Sequence, residues 1–312
     1  MGLLNRGLYG PFLAQLVVTR RCNLTCGYCN EFDEVSEPVP LATLKARVDK
    51  LKALGTFSLE FTGGEPMLHP DIVELIAYAR SKSFHKVMMI SNAYLLSEKK
   101  VRALNDAGLM ELQVSVDGVL PNDVTVKVLK PMLPKLRMLA RTAKFPVVLS
   151  AVLGATSPKE ALQVVATARE FGFRPRVLVL HDGTGQMQLD AEGKAAFAQI
   201  KAELGGRRFR EAHDYREKIL QDGRAPFKCR AGSRYLYVDE FGDVHWCSQT
   251  RGVFQKPLLE YTKLDLKTQF STKKTCADAC TLGCARTQSA YDEWRAQPLD
   301  FDGPRRLPLV AG

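Results

Sequence analysis

Three cysteines lie within eight residues near the start of the chain, at Cys22, Cys26 and Cys29. Thiolates are soft ligands that suit zinc, copper(I) or iron–sulfur clusters. A structural zinc site requires four protein ligands, yet the nearest later cysteine is Cys229 and the nearest later histidine is His69. Three thiolates on a four-iron cluster would instead leave one iron open to a small molecule. The C-x3-C-x2-C spacing therefore favours a reactive iron–sulfur site, with a zinc knuckle or inert buried thiols as the alternatives.

Small and polar residues lie at or just after the ends of the segments that we predict as the second, third and fourth strands. In FTGGEP, at residues 61–66, two glycines allow a backbone to come close to a ligand, and a carboxylate can accept a hydrogen bond from an ammonium group. Each motif alone also fits an ordinary turn or helix cap. Ligand sites assemble at the carboxyl ends of parallel strands, so the joint placement indicates one site shared with the cysteines. The residues concerned are Thr62, Gly63, Gly64 and Glu65, then Ser91 and Asn92, then Ser115 and Asp117.

Strand-like and helical periodicities alternate from Phe12 to Leu180. Six βα units in series imply an α/β fold with a parallel sheet and right-handed crossovers, as either an open sheet or a partial barrel. We predict strands at Phe12–Thr19, Phe57–Phe61, Lys86–Ile90, Glu111–Val116, Pro146–Val152 and Arg176–Leu180. We predict helices at Leu41–Leu54, Pro70–Ser81, Ser97–Ala107, Lys130–Ala140 and Pro158–Phe171, then a polar helical region at Asp190–Gln221 with a break at Gly205–Gly206.

Five more cysteines lie in a C-terminal region from residue 226 to about 298, where helical periodicity is weak. Cys229 and Cys247 flank a predicted hairpin that turns at Gly242, and Cys276, Cys280 and Cys284 follow. Four of these thiols suffice for a second metal site, and zinc would be satisfied as well as an iron–sulfur cluster. We therefore divide the chain into residues 1–222 and a small cysteine-rich hairpin and loop domain at residues 223–312.

Lys and Arg outnumber Asp and Glu by 44 to 34, a net charge of +10, and 312 residues with 46% apolar content can bury a full core. Two basic stretches, Val124–Pro158 and Arg207–Arg234, are either solvated helix faces or a docking face. Such a face suits an acidic electron donor of the flavodoxin or ferredoxin type, or a phosphate-bearing substrate. Nucleic acid is unsupported as a partner, because no aromatic interleaving accompanies the charge. No membrane span or signal peptide is evident, so we expect a cytoplasmic protein, in which clustered thiols are typically metal ligands.

The segments RRCNLTCGYCN and FTGGEP resemble the cysteine motif and the glycine-rich methionine-binding motif of the radical S-adenosylmethionine (radical SAM) enzymes. The resemblance covers Phe12 to Leu180 and implies a partial (β/α)6 barrel. It also implies a four-iron, four-sulfur cluster on Cys22, Cys26 and Cys29, whose open iron is chelated by the amino and carboxylate groups of SAM. Where the family often shows Thr-Asn-Gly, this chain has Ser-Asn-Ala at residues 91–93. The resemblance assigns further cofactor contacts to Tyr28, to Thr62, Gly63, Gly64 and Glu65 at the methionine end, to Ser91 and Asn92 at the carboxylate or ribose, and to Ser115 and Asp117 on the ribose side.

The C-terminal region resembles the twitch or SPASM extensions of radical SAM enzymes, in which a hairpin and later cysteines bind an auxiliary iron–sulfur cluster. This resemblance implies a second four-iron cluster on Cys229 and Cys247 with two of Cys276, Cys280 and Cys284. The implied activity is reductive cleavage of SAM to a 5′-deoxyadenosyl radical, which abstracts a hydrogen atom from the substrate. An auxiliary cluster with full ligation would then accept an electron and allow a net oxidation or bond formation.

The identity of the substrate is open between a small molecule and a peptide. The first cysteine motif begins at residue 22, so we expect no N-terminal peptide-recognition domain, and a peptide-modifying enzyme would act without one. The segment His181–Met187, after the sixth strand, is a candidate substrate contact. Two other classes of protein remain as alternatives, a non-catalytic iron–sulfur electron carrier and a zinc-stabilised nucleic-acid-binding protein.

Overall fold

The strands of this computed structural model lie in a single mostly parallel sheet. The structure describes residues 8–29, 31–180, 187, 189–204 and 207–299, with the backbone alone for residues 204 and 207–214. The strands are Leu13–Thr19 (β1), Ser58–Gly63 (β2), Lys86–Ser91 (β3), Glu111–Ser115 (β4), Val147–Leu153 (β5), Arg174–Val179 (β6), Tyr235–Val238 (β7), Asp243–His245 (β8) and Lys256–Pro257 (β9). Their order is β6-β5-β4-β3-β2-β1-β7-β8-β9, and β1 to β6 pair in parallel throughout.

The helices connect these strands in the alternation that the sequence predicts. Ser97 and Ser157 cap two of them by accepting a hydrogen bond from the backbone N–H three residues later, and Pro158 follows as the first helical residue. Gly108 (φ +81°) follows the helix that Ser97 begins. The helices are Leu41–Ala53 (α1), Ile72–Ser81 (α2), Glu98–Asp106 (α3), Leu129–Thr142 (α4), Pro158–Glu170 (α5), Ala191–Leu204 (α6), Arg207–Asp222 (α7), Lys263–Ser271 (α8) and Gly283–Ala290 (α9).

The parallel part of the sheet has an apolar outer face and a more polar inner face. Strand β5 illustrates the alternation, since Leu149, Ala151 and Leu153 belong to the main core between sheet and helices, whereas Ser150 points to the opposite side. The sheet therefore separates the core from an inner surface, as in a barrel that does not close. The predicted α/β partial barrel is confirmed in this respect.

The C-terminal hairpin continues the barrel sheet. Strand β7 pairs in parallel with β1, from Leu13 opposite Tyr235 to Leu16 opposite Val238, and β8 returns antiparallel after a turn at Gly242 (φ +94°). The predicted hairpin is present, and the two modules expected from the sequence share one sheet. Helices α8 and α9 were not predicted, because 9 and 8 residues give too few turns for a clear periodicity. The domain division at residue 222 stays a prediction.

The two basic stretches are only partly surface features. On and beside α4, the exposed residues are Lys130, Arg137, Arg141 and Lys144, whereas Lys127 in the same stretch points inward to Asp117. In the second stretch, Arg216, Arg230 and Arg234 are buried. The interpretation of these stretches as purely solvated or docking faces was therefore wrong for four of their residues, because a guanidinium or ammonium group can be buried when carboxylate or carbonyl oxygens surround it. Over the part of the chain that is described, no helix combines the length and apolarity that crossing a bilayer requires.

A buried ion pair and a hydrogen bond join Arg234, just before β7, to residues near both ends of the described chain. Arg234 Nε lies 2.6 Å from Asp292 Oδ2, Nη2 donates to Asp292 Oδ1 at 3.2 Å, and Nη1 donates to the carbonyl oxygen of Gly10 at 2.8 Å. Both side chains are almost fully buried, so removing either one would leave a buried charge without its counter-ion.

We predict that Asp292→Asn lowers the free energy of unfolding by about 3 kcal/mol, because it leaves the Arg234 guanidinium buried without its anion. Urea unfolding of the anaerobic, iron-loaded protein measures the change. The matched control is Glu293→Gln, whose exposed side chain lies 4.0 Å from Lys228 and which we expect to change stability by less than about 0.5 kcal/mol. Equal effects of the two substitutions would contradict the prediction.

Candidate functional site

The loop that carries the first three cysteines leaves the carboxyl end of β1 and packs directly on the two glycines that follow β2. The Gly64 N–H donates to the Thr19 carbonyl oxygen at 2.9 Å, and the Glu65 N–H donates to the Arg21 carbonyl oxygen at 2.9 Å. A Cβ at Gly64 would overlap the carbonyl oxygens of Arg20 and Arg21, and one at Gly63 (φ +143°) would overlap that of Thr19. Both glycines are therefore required for the close approach of two backbone segments.

Glu65 ties the ends of β2 and β3 together beneath this loop. Its side chain is 0% exposed and accepts hydrogen bonds from the Ser91 hydroxyl at 2.7 Å, the Asn92 N–H at 2.7 Å and the Met67 N–H at 2.9 Å. Burial raises the pKa of the Glu65 carboxyl, and the bonds from Ser91 and Asn92 oppose that rise. The predicted contact of Glu65 with an ammonium group stays a prediction, alongside this structural role.

Asn92 links the end of β3 to the cysteine loop. Its side-chain amide donates to Asn23 Oδ1 at 2.9 Å and lies 3.8 Å from the sulfur of Cys22. Ala93, next in the chain, is 0% exposed and has a φ of +62°, a conformation that glycine adopts most easily. The alanine thus occupies a glycine-type backbone position, at one of the two places where Ser-Asn-Ala differs from the Thr-Asn-Gly of the family pattern.

A buried polar cluster borders the other side of the loop, at the end of β4. The Tyr28 hydroxyl donates to Asp117 Oδ2 at 2.8 Å, the Thr125 hydroxyl donates to the same oxygen at 2.5 Å, and Lys127 Nζ lies 3.9 Å from it. Burial raises the pKa of Tyr28. Asp117 Oδ1 is buried without a hydrogen-bond partner among the described residues. A buried orphan acceptor favours a donor from a bound molecule, such as a hydroxyl group.

The three thiols differ in exposure but lie close to one another. Cys26 is buried, whereas Cys22 and Cys29 are half-buried. Burial raises the pKa of Cys22 and Cys29, and the negative charge of a neighbouring thiolate adds to each rise, from Cys29 on Cys22 and from Cys26 on Cys29. The backbone N–H groups of Leu24 and Glu31 oppose these rises by donating to the sulfurs of Cys22 and Cys29. Clustered thiols that receive backbone hydrogen bonds are a donor set that fits an iron–sulfur cluster.

Among the histidines that the structure describes, none is available as a fourth metal ligand at this loop. His69 is buried, with Nε2 2.8 Å from the Val39 carbonyl oxygen and Nδ1 accepting from the Asp71 N–H at 3.1 Å, so both ring nitrogens are occupied. Within the described ranges, no three His, Cys, Asp or Glu side chains converge on the position of a single metal ion. A cluster in which each thiolate binds its own iron does not require such convergence.

Thr62 and Ser115 lie at the carboxyl ends of β2 and β4, as the sequence predicted, and both are half-buried. The structure therefore brings the predicted cofactor residues to one edge of the sheet, around the cysteine loop. The contacts that the resemblance assigns to them stay predictions. In the candidate substrate segment, residues 181–186 lie outside the described residues.

The five C-terminal cysteines fall into two groups. Cys229 and Cys247 are buried beside Ala277, which lies in the short turn whose two ends carry Cys276 and Cys280. Burial raises the pKa of Cys276 to about 11 and that of Cys280 to about 12, and the negative charge of a Cys229 thiolate adds to both rises. Burial also raises the pKa of Cys247, and the negative charges of Cys280 and Cys276 thiolates add to that rise. Each of these four sulfurs therefore lies within electrostatic range of at least two of the others.

Cys284 faces a different part of the molecule. Its sulfur lies 3.9 Å from the side-chain nitrogen of Gln15, on the inner face of β1, and contacts the Arg176 side chain on β6. Burial raises the pKa of Cys284, and the next influences are those of Arg176 and Glu60 and not those of other cysteines. The fifth thiol thus borders the interior of the barrel.

Sequence reasoning missed a polar network on this inner face. Gln15 donates to Glu60 Oε2 at 2.6 Å and accepts from the hydroxyl of Tyr235, while Arg176 Nη1 donates to Gln113 Oε1. The available signal was a polar residue between apolar neighbours in the middle of a strand, Gln15 in LAQLVVT and Glu60 in SLEFTG. Strand alternation places such residues opposite the apolar core.

Solved structures with this fold include peptide-bound proteins. SuiB of Streptococcus suis bound to the precursor peptide SuiA matches 86% of this chain and 66% of that chain, with a TM-score of 0.64 and 17% identity. The structure of anSMEcpe with bound AdoMet and the Cp18Cys peptide matches 90% of this chain and 91% of that one, with a TM-score of 0.57 and 16% identity. At these identities the likeness shows the shared fold.

Sequence relatives include PqqA peptide cyclases. The protein from Gluconobacter oxydans is 38% identical over 110 residues, 34% of this chain and 30% of that protein. The protein from Xanthomonas campestris pv. campestris is 30% identical over 184 residues, 55% of this chain and 47% of that protein. The chain thus spans less than half the length of these curated relatives. The model of the radical SAM superfamily matches residues 16–198, more than half of the chain. This chain therefore belongs to the radical SAM superfamily, whose members use a four-iron, four-sulfur cluster and S-adenosylmethionine.

Proposed function

We propose that this protein is a radical SAM enzyme that oxidatively modifies a peptide. The observation that carries the proposal is the set of three clustered thiols at the mouth of the barrel, flanked by a buried acceptor with no protein partner. When bound, the cluster and SAM supply one-electron cleavage to a 5′-deoxyadenosyl radical, which takes a hydrogen atom from a C–H bond of the substrate. Cys22, Cys26 and Cys29 would hold the cluster, and the orphan oxygen of Asp117 would accept a hydrogen bond from a hydroxyl group of SAM.

The names of the relatives and the bound peptides in the solved structures favour a peptide over a small molecule as the substrate. The PqqA peptide cyclases are named for a peptide substrate, and two solved structures of the same fold contain bound peptides. The reaction class we propose is bond formation within the peptide, which removes two electrons and two protons from it. An electron donor of the flavodoxin or ferredoxin type would dock on exposed basic residues such as those of α4.

The chain's own contribution is to hold the cysteine loop and to keep water away from it. Hydrogen bonds from Gly64 and Glu65 fix the first turn of the loop, and Asn92 fixes it from β3. Tyr28 covers the buried Asp117 and is in turn covered by Lys127, whose ammonium lies 4.8 Å from the centre of the ring. These contacts exclude solvent from one side of the cluster position.

We also propose that the C-terminal thiols hold an auxiliary four-iron cluster, on Cys229, Cys247, Cys276 and Cys280. This selection rests on the mutual proximity of the four sulfurs and on the separate position of Cys284. Lys274 supports it, because its amino group is buried beside Cys229 and Cys276, and burial lowers its pKa to about 8. A cation enclosed at this point would offset the negative charge of thiolate ligands.

Replacement of Cys22, Cys26 and Cys29 together by alanine tests the proposed function. We expect the triple variant to lose 5′-deoxyadenosine formation from SAM under dithionite by more than about 10³-fold, since the cluster carries the electron transfer. Liquid chromatography of the anaerobic reaction measures the product. Retention of the circular dichroism spectrum serves as the control for folding. Formation of 5′-deoxyadenosine at the wild-type rate would contradict the proposal.

Gly64→Ala tests whether the close backbone approach is needed for cluster binding. We expect the added methyl group to displace the cysteine loop, lowering iron and sulfide content severalfold and stability by about 1–3 kcal/mol. The control is Gly172→Ala, because Gly172 has a positive φ of +70° but open space around its Cβ position. We expect Gly172→Ala to lower the free energy of unfolding by about 1 kcal/mol through backbone strain and to leave the iron content unchanged. Equal iron content in the two variants would refute the proposed role.

The ligand selection is tested in the background of the Cys22, Cys26 and Cys29 triple variant, in which only a C-terminal cluster can form. We expect Cys280→Ala to abolish most of the remaining iron and sulfide and the 400 nm absorbance, and Cys284→Ala to retain about four irons per chain. Both substitutions remove one thiol from the same short segment, so each is the control for the other. Loss of the cluster in Cys284→Ala, with retention in Cys280→Ala, would overturn the selection.

A further inference from the structure

A pair of charged side chains lies between the cysteine loop and the C-terminal hairpin. Glu31 follows Cys29 by two residues, and Arg251 follows Cys247 by four. Arg251 Nη1 lies 3.8 Å from Glu31 Oε2, and the two side chains are 23% and 20% exposed. Two segments that are far apart in the chain therefore meet here, at the border between the surface and the interior.

Tyr237 places this pair over the inner face of the barrel. It pairs in register with Gln15 on β1, whose side chain belongs to the inner polar network. Paired positions on adjacent strands lie on the same side of a sheet, so the side chain of Tyr237 also faces inward. Its hydroxyl donates to Glu31 Oε2, and Tyr237 is the last residue but one of β7. The Glu31 carboxylate thus lies at the mouth of the barrel, beside the N-terminal thiols.

Each member of the pair has one polar atom that no described residue satisfies. Glu31 Oε2 accepts from Tyr237, whereas Glu31 Oε1 is buried without a hydrogen-bond partner. Arg251 Nη2 donates to both carboxylate oxygens of Glu240 at 2.8 Å, whereas Arg251 Nη1 is buried without a hydrogen-bond partner. A buried polar group costs free energy unless a bound group satisfies it. One acceptor and one donor are therefore available side by side.

The group that would complete this arrangement is neutral. The Arg251 guanidinium already pairs with the carboxylates of Glu240 and Asp239, so the pair needs a hydrogen-bond donor and an acceptor and not an ion. An extended peptide residue offers both on one side, because its own N–H and C=O point in the same direction, as in a hydrogen-bonded pair of antiparallel strands. The carboxylate oxygen would then replace a strand carbonyl, and the guanidinium N–H would replace a strand amide.

Space for a peptide is present next to Arg251. An open cleft with a volume of about 720 Å³ is lined by Arg251 and Glu240 and by residues 38–40. Phe241, whose side chain is 77% exposed, also borders this cleft. The volume is in the range of cavities that hold small ligands or short peptide segments. An extended segment can therefore approach Arg251 from the surface.

We propose that Glu31 and Arg251 bind the backbone of the peptide substrate at one extended residue, whose N–H donates to Glu31 Oε1 and whose C=O accepts from Arg251 Nη1. This inference rests on the proposed peptide-modifying function and deepens it by naming the recognised group. Main-chain hydrogen bonds supply affinity whatever the side chains of the peptide are. A peptide held beside Cys29 is held at the mouth, where its C–H bond must be presented to the radical.

Affinity selection from a peptide mixture tests the proposal. The anaerobic, iron-loaded protein is incubated with SAM and a mixture of acetylated and amidated hexapeptides of random sequence, and the retained peptides are identified by ultrafiltration and mass spectrometry. The most strongly retained sequence is then synthesised with each internal amide replaced in turn by an ester, which lacks the N–H donor. We expect one of these esters to bind about tenfold more weakly than the amide, which is the loss that one charge-assisted hydrogen bond implies.

Glu31→Ala should abolish the difference between that ester and the amide, and Glu31→Gln, which keeps an acceptor oxygen, should retain part of it. Because the two peptides are compared within one variant, a general loss of affinity cancels. Glu34→Gln is the matched control, since Glu34 is an exposed carboxylate of the same loop, and the tenfold difference should remain. Arg251→Met should weaken binding of the amide about tenfold, and Arg251→Lys should weaken it less.

Retention of no peptide, tolerance of every ester, or an ester effect that persists in Glu31→Ala would overturn the proposal. Formation of 5′-deoxyadenosine by the wild-type protein is measured in parallel. No product, together with an ester effect that depends on Glu31, would refute the proposed function and leave a peptide-binding site. Product formation and peptide retention without such an effect would refute the backbone contact alone, so the two failures are distinguishable.

Discussion

The close contact between the end of β1 and the two glycines after β2 is the constraint on which the site depends. Two backbone segments meet there without side chains between them, and their N–H and carbonyl groups bond directly. This contact sets the direction in which the cysteine loop leaves the sheet. Glu65, Ser91 and Asn92 then extend the same network to β3, so that loop and sheet edge form one hydrogen-bonded unit. Adding a single methyl group at Gly64 would therefore disturb the whole hydrogen-bonded unit.

The inside of the barrel is a second region where polar groups are concentrated. The sheet separates an apolar core on its helix side from an interior that contains Gln15, Glu60, Gln113 and Arg176. Buried polar groups are costly unless paired, and most of these are paired with one another. Among the described residues, Asp117 Oδ1 at the mouth and the Ser150 hydroxyl deeper inside are buried without a hydrogen-bond partner.

The C-terminal region is joined to the barrel by strand pairing and not by a loose linker. Because β7 lies directly beside β1, the hairpin that carries Cys247 and the strand that leads to Cys22 are neighbours in one sheet. The Arg234–Asp292 pair fixes the start of this hairpin against the last described helices. The proposed auxiliary cluster and the interior of the barrel are therefore connected through the same sheet, and Cys284 borders that interior.

Much of the fold was evident from sequence, because the alternation of apolar strands and amphipathic helices is a local property of the chain. The sequence likewise determined the three-cysteine motif, the glycines after the second strand and the family to which the chain belongs. It also indicated which polar residues end each strand. These features depend on residue type and spacing alone. Short helices such as Gly283–Ala290 were not predicted, because they have too few turns to show a clear periodicity.

Only the tertiary structure decided which distant residues meet. The contact of Cys284 with Gln15 and the meeting of Arg176 with Arg216 join segments far apart in the chain. The fold also decides that Lys127 turns inward to Asp117 and not outward to solvent. Sequence spacing gives no information on such contacts, because they depend on strand register and on the path of the connecting helices. Burial then determines which charges need partners, and burial is a property of the whole fold.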